Sequence, residues 1–195
     1  MDRSLAPGDA MEASGVAAPG ILIHTLGFST RAVEEVVALL RAAGVTLLAD
    51  IRTVPRSRHT PQWNREHAAE SLPAHGIRYH HLPRLGGFRK PRPDSPNTGW
   101  RNLSFRGYAD YMATADFAAG LAELLALAGA TPAVIACTEA VPWRCHRSLV
   151  ADALAVRGIE VRHLVGPGST RPHALTPFAR VEGERLTYPD PDALL

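Results

Sequence analysis

The sequence predicts a single α/β domain: a mainly parallel sheet flanked by helices on both faces, with a short C-terminal hairpin. Three observations predict it. Apolar runs alternate with amphipathic stretches from Gly20 onward. Gly44, Gly76, Gly129 and Gly158 each stand between a helical pattern and the strand-like run that follows it, the punctuation of βαβ units. Residues 180–188 read as two short strands turned at Gly183.

The elements follow in order. Residues 1–19 are rich in Ala, Gly, Pro and Asp without periodicity and are expected to form a flexible tail, leaving 20–195 as the domain. Residues 21–26 are the first strand. A helix follows, with Val33, Val36, Val37 and Leu40 on one face, a cap at Ser29 or Thr30, acids at Glu34 and Glu35, and a stop at Gly44. Residues 45–50 are the second strand, 64–75 a weaker helix, and 77–82 the third strand. The stretch from Pro83 to Gly107 reads as a long loop, a length that points to function. Tyr108 opens a helical region that places Phe117, Leu121, Leu124 and Leu125 on one face and closes at Gly129. Residues 133–137 are the fourth strand, 145–157 a helix, and 160–165 the fifth strand.

Composition narrows the class. The chain has 195 residues, 46% hydrophobic and 21% charged, enough for one core of ordinary globular type. No apolar run approaches the ~20 residues of a membrane span, so no membrane association is expected. The N-terminus lacks a basic region followed by an apolar core, and a cytoplasmic location is expected. Two cysteines do not make a disulfide framework. Oligomeric state is left open.

Charge is unevenly spread. Between Arg52 and Arg106 stand eleven Lys/Arg and three acids, although the whole chain carries a net charge of only +2. That clustering suggests an anionic partner, either a phosphorylated small molecule or nucleic acid.

The chemistry collects where an open parallel sheet binds ligands, beyond the carboxyl ends of its strands. After the second strand come Arg52, Arg56 and Arg58; guanidinium forks match phosphate or carboxylate. The alternative for Arg52 is an ion pair with Asp50 or Glu139 that only fixes loops. After the fourth strand come Glu139, Trp143, Arg144, Cys145, His146 and Arg147. Cys145, at a helix N-terminus beside His and Arg, has the setting of a lowered thiol pKa. Glu139 and His146 are the candidates for proton transfer, and Arg147 for anion binding. Trp63, Trp100 and Trp143 all lie in loops or at helix starts on this side, where they could stack on a flat ligand.

Three readings of the Cys/His group stay open. Cys137, Cys145, His146 and His81 are ligands of the right type for a metal, but the seven-residue gap between the cysteines is not a standard zinc spacing, and no cofactor is predicted. A nucleophilic thiol is the second. Burial of both cysteines as small core residues is the third. A cysteine-phosphatase loop is disfavoured: six residues separate Cys137 from Arg144, and Pro142 removes an N–H donor.

These residues also carry a family resemblance. Thr25-Leu-Gly-Phe-Ser29, Asp50-Ile-Arg-x-x-Pro-Arg-Ser-Arg58, Leu82-Pro-x-Leu-Gly-Gly87, Gly99-Trp-Arg-Asn-x-Ser-Phe-Arg-Gly-Tyr-Ala-Asp-Tyr-Met112 and Cys137-x-Glu-x-x-Pro-x-x-Cys-His-Arg147 resemble the DUF488 family, a domain of unknown function. The resemblance runs over residues 21–188 and implies an α/β fold but no settled activity. Phe28 stands where it would lead us to expect a histidine.

The expectation is therefore an enzyme, or degenerate enzyme, with an Arg-rich anion site at the strand ends, acting on a phosphorylated or nucleic-acid-derived ligand. Glu139, His146 and Cys145 are the candidate catalytic residues. Arg52, Arg56, Arg58, Arg147, Trp100, Arg101 and Tyr108 are the candidate binding residues, the last three on a 99–111 segment expected to fold over the site. The alternatives are a non-catalytic nucleic-acid-binding module and a metal- or thiol-based redox protein.

Overall fold

The computed structural model describes residues 20–194, so the tail expected at 1–19 lies outside the described residues. In chain order the elements are β1 (Leu22–Gly27), α1 (Val33–Ala42), β2 (Leu47–Asp50), α2 (Arg65–Ser71), β3 (Arg78–His81), α3 (Leu103–Tyr111), α4 (Ala115–Ala130), β4 (Ala133–Cys137), α5 (Arg147–Ala155), β5 (Glu160–Gly166), β6 (Ser169–Pro172), β7 (Arg180–Glu182) and β8 (Arg185–Thr187). Six strands form one sheet in the order β3-β2-β4-β1-β5-β6, and β7 and β8 form the separate hairpin. Five strands of the sheet run parallel; β6 alone is antiparallel, paired with β5.

Alternation of side chains along each strand divides the core into two. On one face Leu26, Leu48, Val134 and Ala136 pack with Val36, Val37, Leu39 and Leu40 of α1 and Ala68 of α2. On the other face Ile23, Ala49 and Ile135 pack with Tyr108 of α3, Phe117, Leu121 and Leu124 of α4, and Leu149, Val150, Ala151, Ala153 and Leu154 of α5. The central strands β2 and β4 are buried throughout, which is why they read as unbroken apolar runs rather than alternating ones.

Several boundaries differ from the sequence reading, each for a physical reason. α1 is capped at Ala32, whose N–H donates to the Glu35 carboxylate at 3.0 Å, not at Ser29 or Thr30. The helix expected over 64–75 ends as α helix at Ser71 and continues as a 3-10 turn, because Pro73 cannot extend the ladder. α3 begins at Leu103 rather than Tyr108, capped by the Asn102 side chain, which accepts from the Ser104 N–H at 2.9 Å. Gly107 looked like a turn residue but sits inside α3: a Cβ there would lie 2.4 Å from the Arg89 carbonyl oxygen, so the glycine serves close backbone approach. The edge strand β6 escaped the sequence reading because it is short and largely exposed.

A buried polar network fastens the C-terminal segment to the domain. Asp152 on α5 accepts from the His173 ring (Nε2, 2.8 Å), the Thr176 hydroxyl (2.7 Å) and N–H (3.1 Å), and the Tyr188 hydroxyl (2.9 Å). The His173 Nδ1 meets His163 Nε2 at 3.1 Å, and His163 Nδ1 meets the Thr25 hydroxyl at 2.7 Å. Burial, then the charges of His173 and Arg147, lower the His163 pKa to about 4. The unfolded chain therefore binds the proton more readily between pH 4 and 6.5. Stability is fully present above that window and is lost as pH falls through it. Urea melts at intermediate pH values should show the slope of stability against pH shrinking by about one proton in His163→Gln; an unchanged slope contradicts the assignment.

Candidate functional site

The carboxyl ends of β2 and β4, neighbours at the centre of the sheet, open into a cavity of about 470 Å³. The β2 loop supplies Arg52, Thr53, Val54, Arg56 and Ser57; the loop after β3 supplies Gly87 and Phe88; α3 supplies Ser104, Phe105 and Tyr108. The β4–α5 loop supplies Cys137, Thr138, Glu139, Arg144, Cys145 and His146. Its close seating depends on Gly27, where a Cβ would fall 1.9 Å from the Glu139 carbonyl oxygen.

Cys145 and His146 sit at the entry to α5. A 3-10 turn over Pro142–Arg144 delivers Cys145, whose N–H donates to the Pro142 carbonyl at 3.0 Å. His146 is the N-cap residue of α5. Its Nε2 lies 3.0 Å from the Ile51 carbonyl oxygen, which can only accept; Nε2 therefore carries the proton and Nδ1 presents its lone pair. Nδ1 lies 3.7 Å from the Cys145 sulfur. The ring is boxed in by Tyr108, whose centroid is 4.9 Å away, and by Gly87, where a Cβ would come 3.0 Å from Nδ1. Burial pushes the Tyr108 phenol well up, and it donates to the Leu85 carbonyl at 2.7 Å.

The two thiols differ in kind, although both are buried and unbridged. Cys145 is held below the usual thiol range by the neighbouring Cys137 thiol, which outweighs burial, and by the charge and N–H of Arg147; that N–H reaches the sulfur at 3.5 Å. Cys137 is pushed up by Cys145 and by burial. The Arg147 N–H at 3.5 Å and the His146 Nδ1 at 3.7 Å surround Cys145 with groups that favour its thiolate. One donor atom from each of Cys137, Cys145 and His146 falls within 4.8 Å of the other two, a spacing that admits a metal ion.

The arginines divide differently from expectation. Arg52 is buried and forks onto Asp50: Nε lies 2.9 Å from Oδ1 and a terminal nitrogen 2.5 Å from Oδ2. That same nitrogen donates to the Trp63 carbonyl, and the Tyr79 hydroxyl donates to Asp50 at 2.8 Å. Asp50 raises the Arg52 pKa even against burial. Arg52 borders the cavity, but its Nε and one terminal nitrogen are spent on Asp50 and the Trp63 carbonyl, the loop-fixing alternative. Arg147, expected to bind an anion, is also buried and does not line the cavity; its terminal nitrogens donate to the carbonyls of Glu139 (2.8 Å) and Ala140 (3.2 Å), holding the loop to α5. The cations left exposed at the wall are Arg56 and Arg144. Arg144 was legible only as one more base in a crowded loop.

Of the remaining expected residues, Glu139 lines the cavity with an exposed side chain. Arg58 and Arg101 are exposed outside it. Trp100 packs against Phe105, Phe178 and Tyr188 rather than facing a ligand. Trp63, also read as a stacking surface, is fully buried: it stacks on Phe28 at 4.2 Å, and its Nε1 donates to the Arg31 carbonyl. Phe28 is thereby a core residue, and Arg52 lies over its ring at 4.9 Å. Trp143 is exposed. The sequence reading overlooked Phe88, which is 89% exposed at the wall with a φ of 60°, a conformation bulky side chains rarely adopt.

Fold and cavity together define a doubly wound α/β protein with a thiol–imidazole group at the carboxyl edge of its sheet. The chain belongs to the DUF488 family, described as a domain of unknown function; the family model matches residues 32–154, a narrower span than the motifs suggested. No curated protein and no solved structure matches the chain.

Proposed function

We propose that this protein is an enzyme acting on a small, anionic, electrophilic substrate held in the cavity. Cys145 is its nucleophile, His146 Nδ1 takes the thiol proton, and Arg56 and Arg144 dock the substrate's phosphate or carboxylate. Glu139, on the same wall, is the second group available for proton transfer. The observation that carries this reading is the Cys145–His146 pair itself: a sulfur 3.7 Å from a ring nitrogen whose lone pair is exposed by the Ile51 hydrogen bond, opening into a cavity. A nucleophile beside a base that is oriented by a third group is the arrangement that activates a thiol.

Two features favour a small ligand over nucleic acid. The cavity volume falls in the range of small-molecule sites. Five of the eleven basic residues in 52–106 are engaged within the protein: Arg52 with Asp50, Arg84 with Glu123, Arg92 with Asp94, Arg106 with the Trp100 carbonyl, and Arg89 over the Tyr111 ring. Each of these is one cation fewer to track a phosphate backbone.

Two alkylating agents of similar size and opposite charge character test the reading. In metal-free, reduced protein, anionic iodoacetate should label Cys145 before Cys137 and with saturation. Arg56→Ala with Arg144→Ala should slow iodoacetate about tenfold, the worth of one charge-assisted hydrogen bond at ~1.4 kcal/mol, and leave neutral iodoacetamide unaffected. Equal slowing of both reagents, or first labelling at Cys137, overturns the assignment.

A further inference from the structure

We propose that Cys137, Cys145 and His146 form a three-ligand site for zinc, with the fourth coordination position open to the cavity. This inference stands on ligand geometry and goes beyond the thiol-enzyme reading. It names an ion that competes with the Cys145 nucleophile for the same lone pair.

The donor set comes first. Two thiols and an imidazole are borderline-soft ligands, which select zinc over magnesium or calcium. Their three donor atoms already lie within 4.8 Å of one another. A tetrahedral zinc with bonds of about 2.3 Å to sulfur and 2.0–2.1 Å to nitrogen places neighbouring donors roughly 3.5–3.8 Å apart. The Cys145 sulfur and His146 Nδ1 are at 3.7 Å before any ion enters. The Cys137 sulfur, at the end of β4, lies within 4.8 Å of both.

The imidazole is set for the role. With Nε2 donating to the Ile51 carbonyl, Nδ1 is the bare nitrogen, and the backbone acceptor is the outer-shell partner that fixes a metal-binding histidine's tautomer and ring orientation. His146 can therefore bind without changing its hydrogen bonds. All three residues line the cavity, so a bound ion would face open space rather than a fourth protein ligand. That is the pattern of sites that keep a position for water or substrate. Charge is consistent as well: two thiolates neutralise the dication, so the bound ion adds no net positive charge beside Arg147. Binding releases the thiol protons to solvent, with no change in oxidation state.

Sequence spacing argued against a metal because it was compared with sites whose ligands fall on one short loop. Here the ligands come from two elements, the end of a central strand and the entry to the following helix, so the seven intervening residues need only span the gap.

The test is titration of the reduced, chelator-treated full-length chain with Co²⁺ and then Zn²⁺ under anaerobic conditions. The expected result is about one Co²⁺ per chain, with thiolate-to-cobalt charge transfer and the intense visible bands of four-coordinate cobalt, both erased by Zn²⁺. Cys137→Ala should roughly halve the charge transfer. Cys137→Ala and His146→Gln should each weaken binding more than ~100-fold, beyond the loss expected for a merely supporting partner. Absence of charge transfer at equimolar cobalt, or an unchanged spectrum in Cys137→Ala, overturns the site. A measurement on the unmodified protein guards against variants that fail to fold: stoichiometric Zn²⁺ should protect both thiols from iodoacetamide, and continued reaction of either thiol counts against the proposal. The two readings fail separately. Reactive Cys145 without cobalt binding removes the metal and leaves the nucleophile; cobalt binding with an inert Cys145 in metal-free protein does the reverse.

Discussion

Asp50→Ala is expected to lower folding stability by about 3–5 kcal/mol, the cost of leaving a buried charge without its partner. Asp50 is completely buried at the end of β2, where its carboxylate receives the Arg52 guanidinium, the Arg52 N–H at 3.1 Å and the Tyr79 hydroxyl. Removing it strands the Arg52 side chain between Phe28 and the Trp63 carbonyl with nothing to balance its charge. The pair as a whole is expected to contribute far less than its breakage costs. A double replacement of Asp50 and Arg52 by apolar residues of similar size should recover much of the loss, because desolvation of both charges offsets most of their attraction. Urea denaturation of the single and double variants gives the comparison; a loss below ~1 kcal/mol for Asp50→Ala contradicts this account of the β2 loop.

His146→Ala is expected to slow alkylation of Cys145 in metal-free protein by on the order of 10²-fold, the lower end of what a positioned base contributes. Nδ1 lies 3.7 Å from the sulfur, and in the neutral ring the Ile51 hydrogen bond places the proton on Nε2 and leaves Nδ1 as the acceptor. The variant also leaves the Ile51 carbonyl without that partner, so its melting temperature must be followed in parallel. The ratio of Cys145 to Cys137 labelling separates the two effects, since general loosening would raise the reactivity of both sulfurs, whereas loss of the base slows Cys145 more than Cys137. Cys137, with its thiol pushed up by Cys145 and burial, is the internal reference.

The fold was legible because its central strands are buried on both sides and because Gly44, Gly76 and Gly158 follow helical stretches. β4 begins and ends where the apolar run does, and the hairpin at β7 and β8 sits around Gly183 as its pattern implied. The site was legible as a place more than as a set of roles. Cys145 and His146 crowd a strand-to-helix loop, and the sheet rule put that loop beside the β2 loop, as the Ile51 hydrogen bond bears out. What could not be read is which charges are spent. Asp50 and Arg52 are two residues apart, yet their pairing depends on Tyr79 from the neighbouring strand and on a tryptophan carbonyl eleven residues on. Arg147 looks in sequence like the first basic residue of an anion-binding helix, but its side chain turns back onto the loop it follows. Trp63 looked exposed because it stands between loop residues, while the folded loop lays it on Phe28. One available signal was overlooked: Asp152 interrupts the buried run of α5 and thereby announced a polar partner in the core.

The account rests on Cys145 and His146 acting as one reactive pair at the cavity floor. Site-resolved mass spectrometry of the chelator-treated chain during limiting exposure to iodoacetate, compared between the native protein and His146→Ala, tests that claim most directly. The account predicts carboxymethyl at Cys145 well ahead of Cys137 in the native chain, and loss of that lead in the variant while the melting temperature shows the fold intact. Labelling of the two sulfurs at equal rates in the native chain, or a Cys145 rate indifferent to His146, would contradict it.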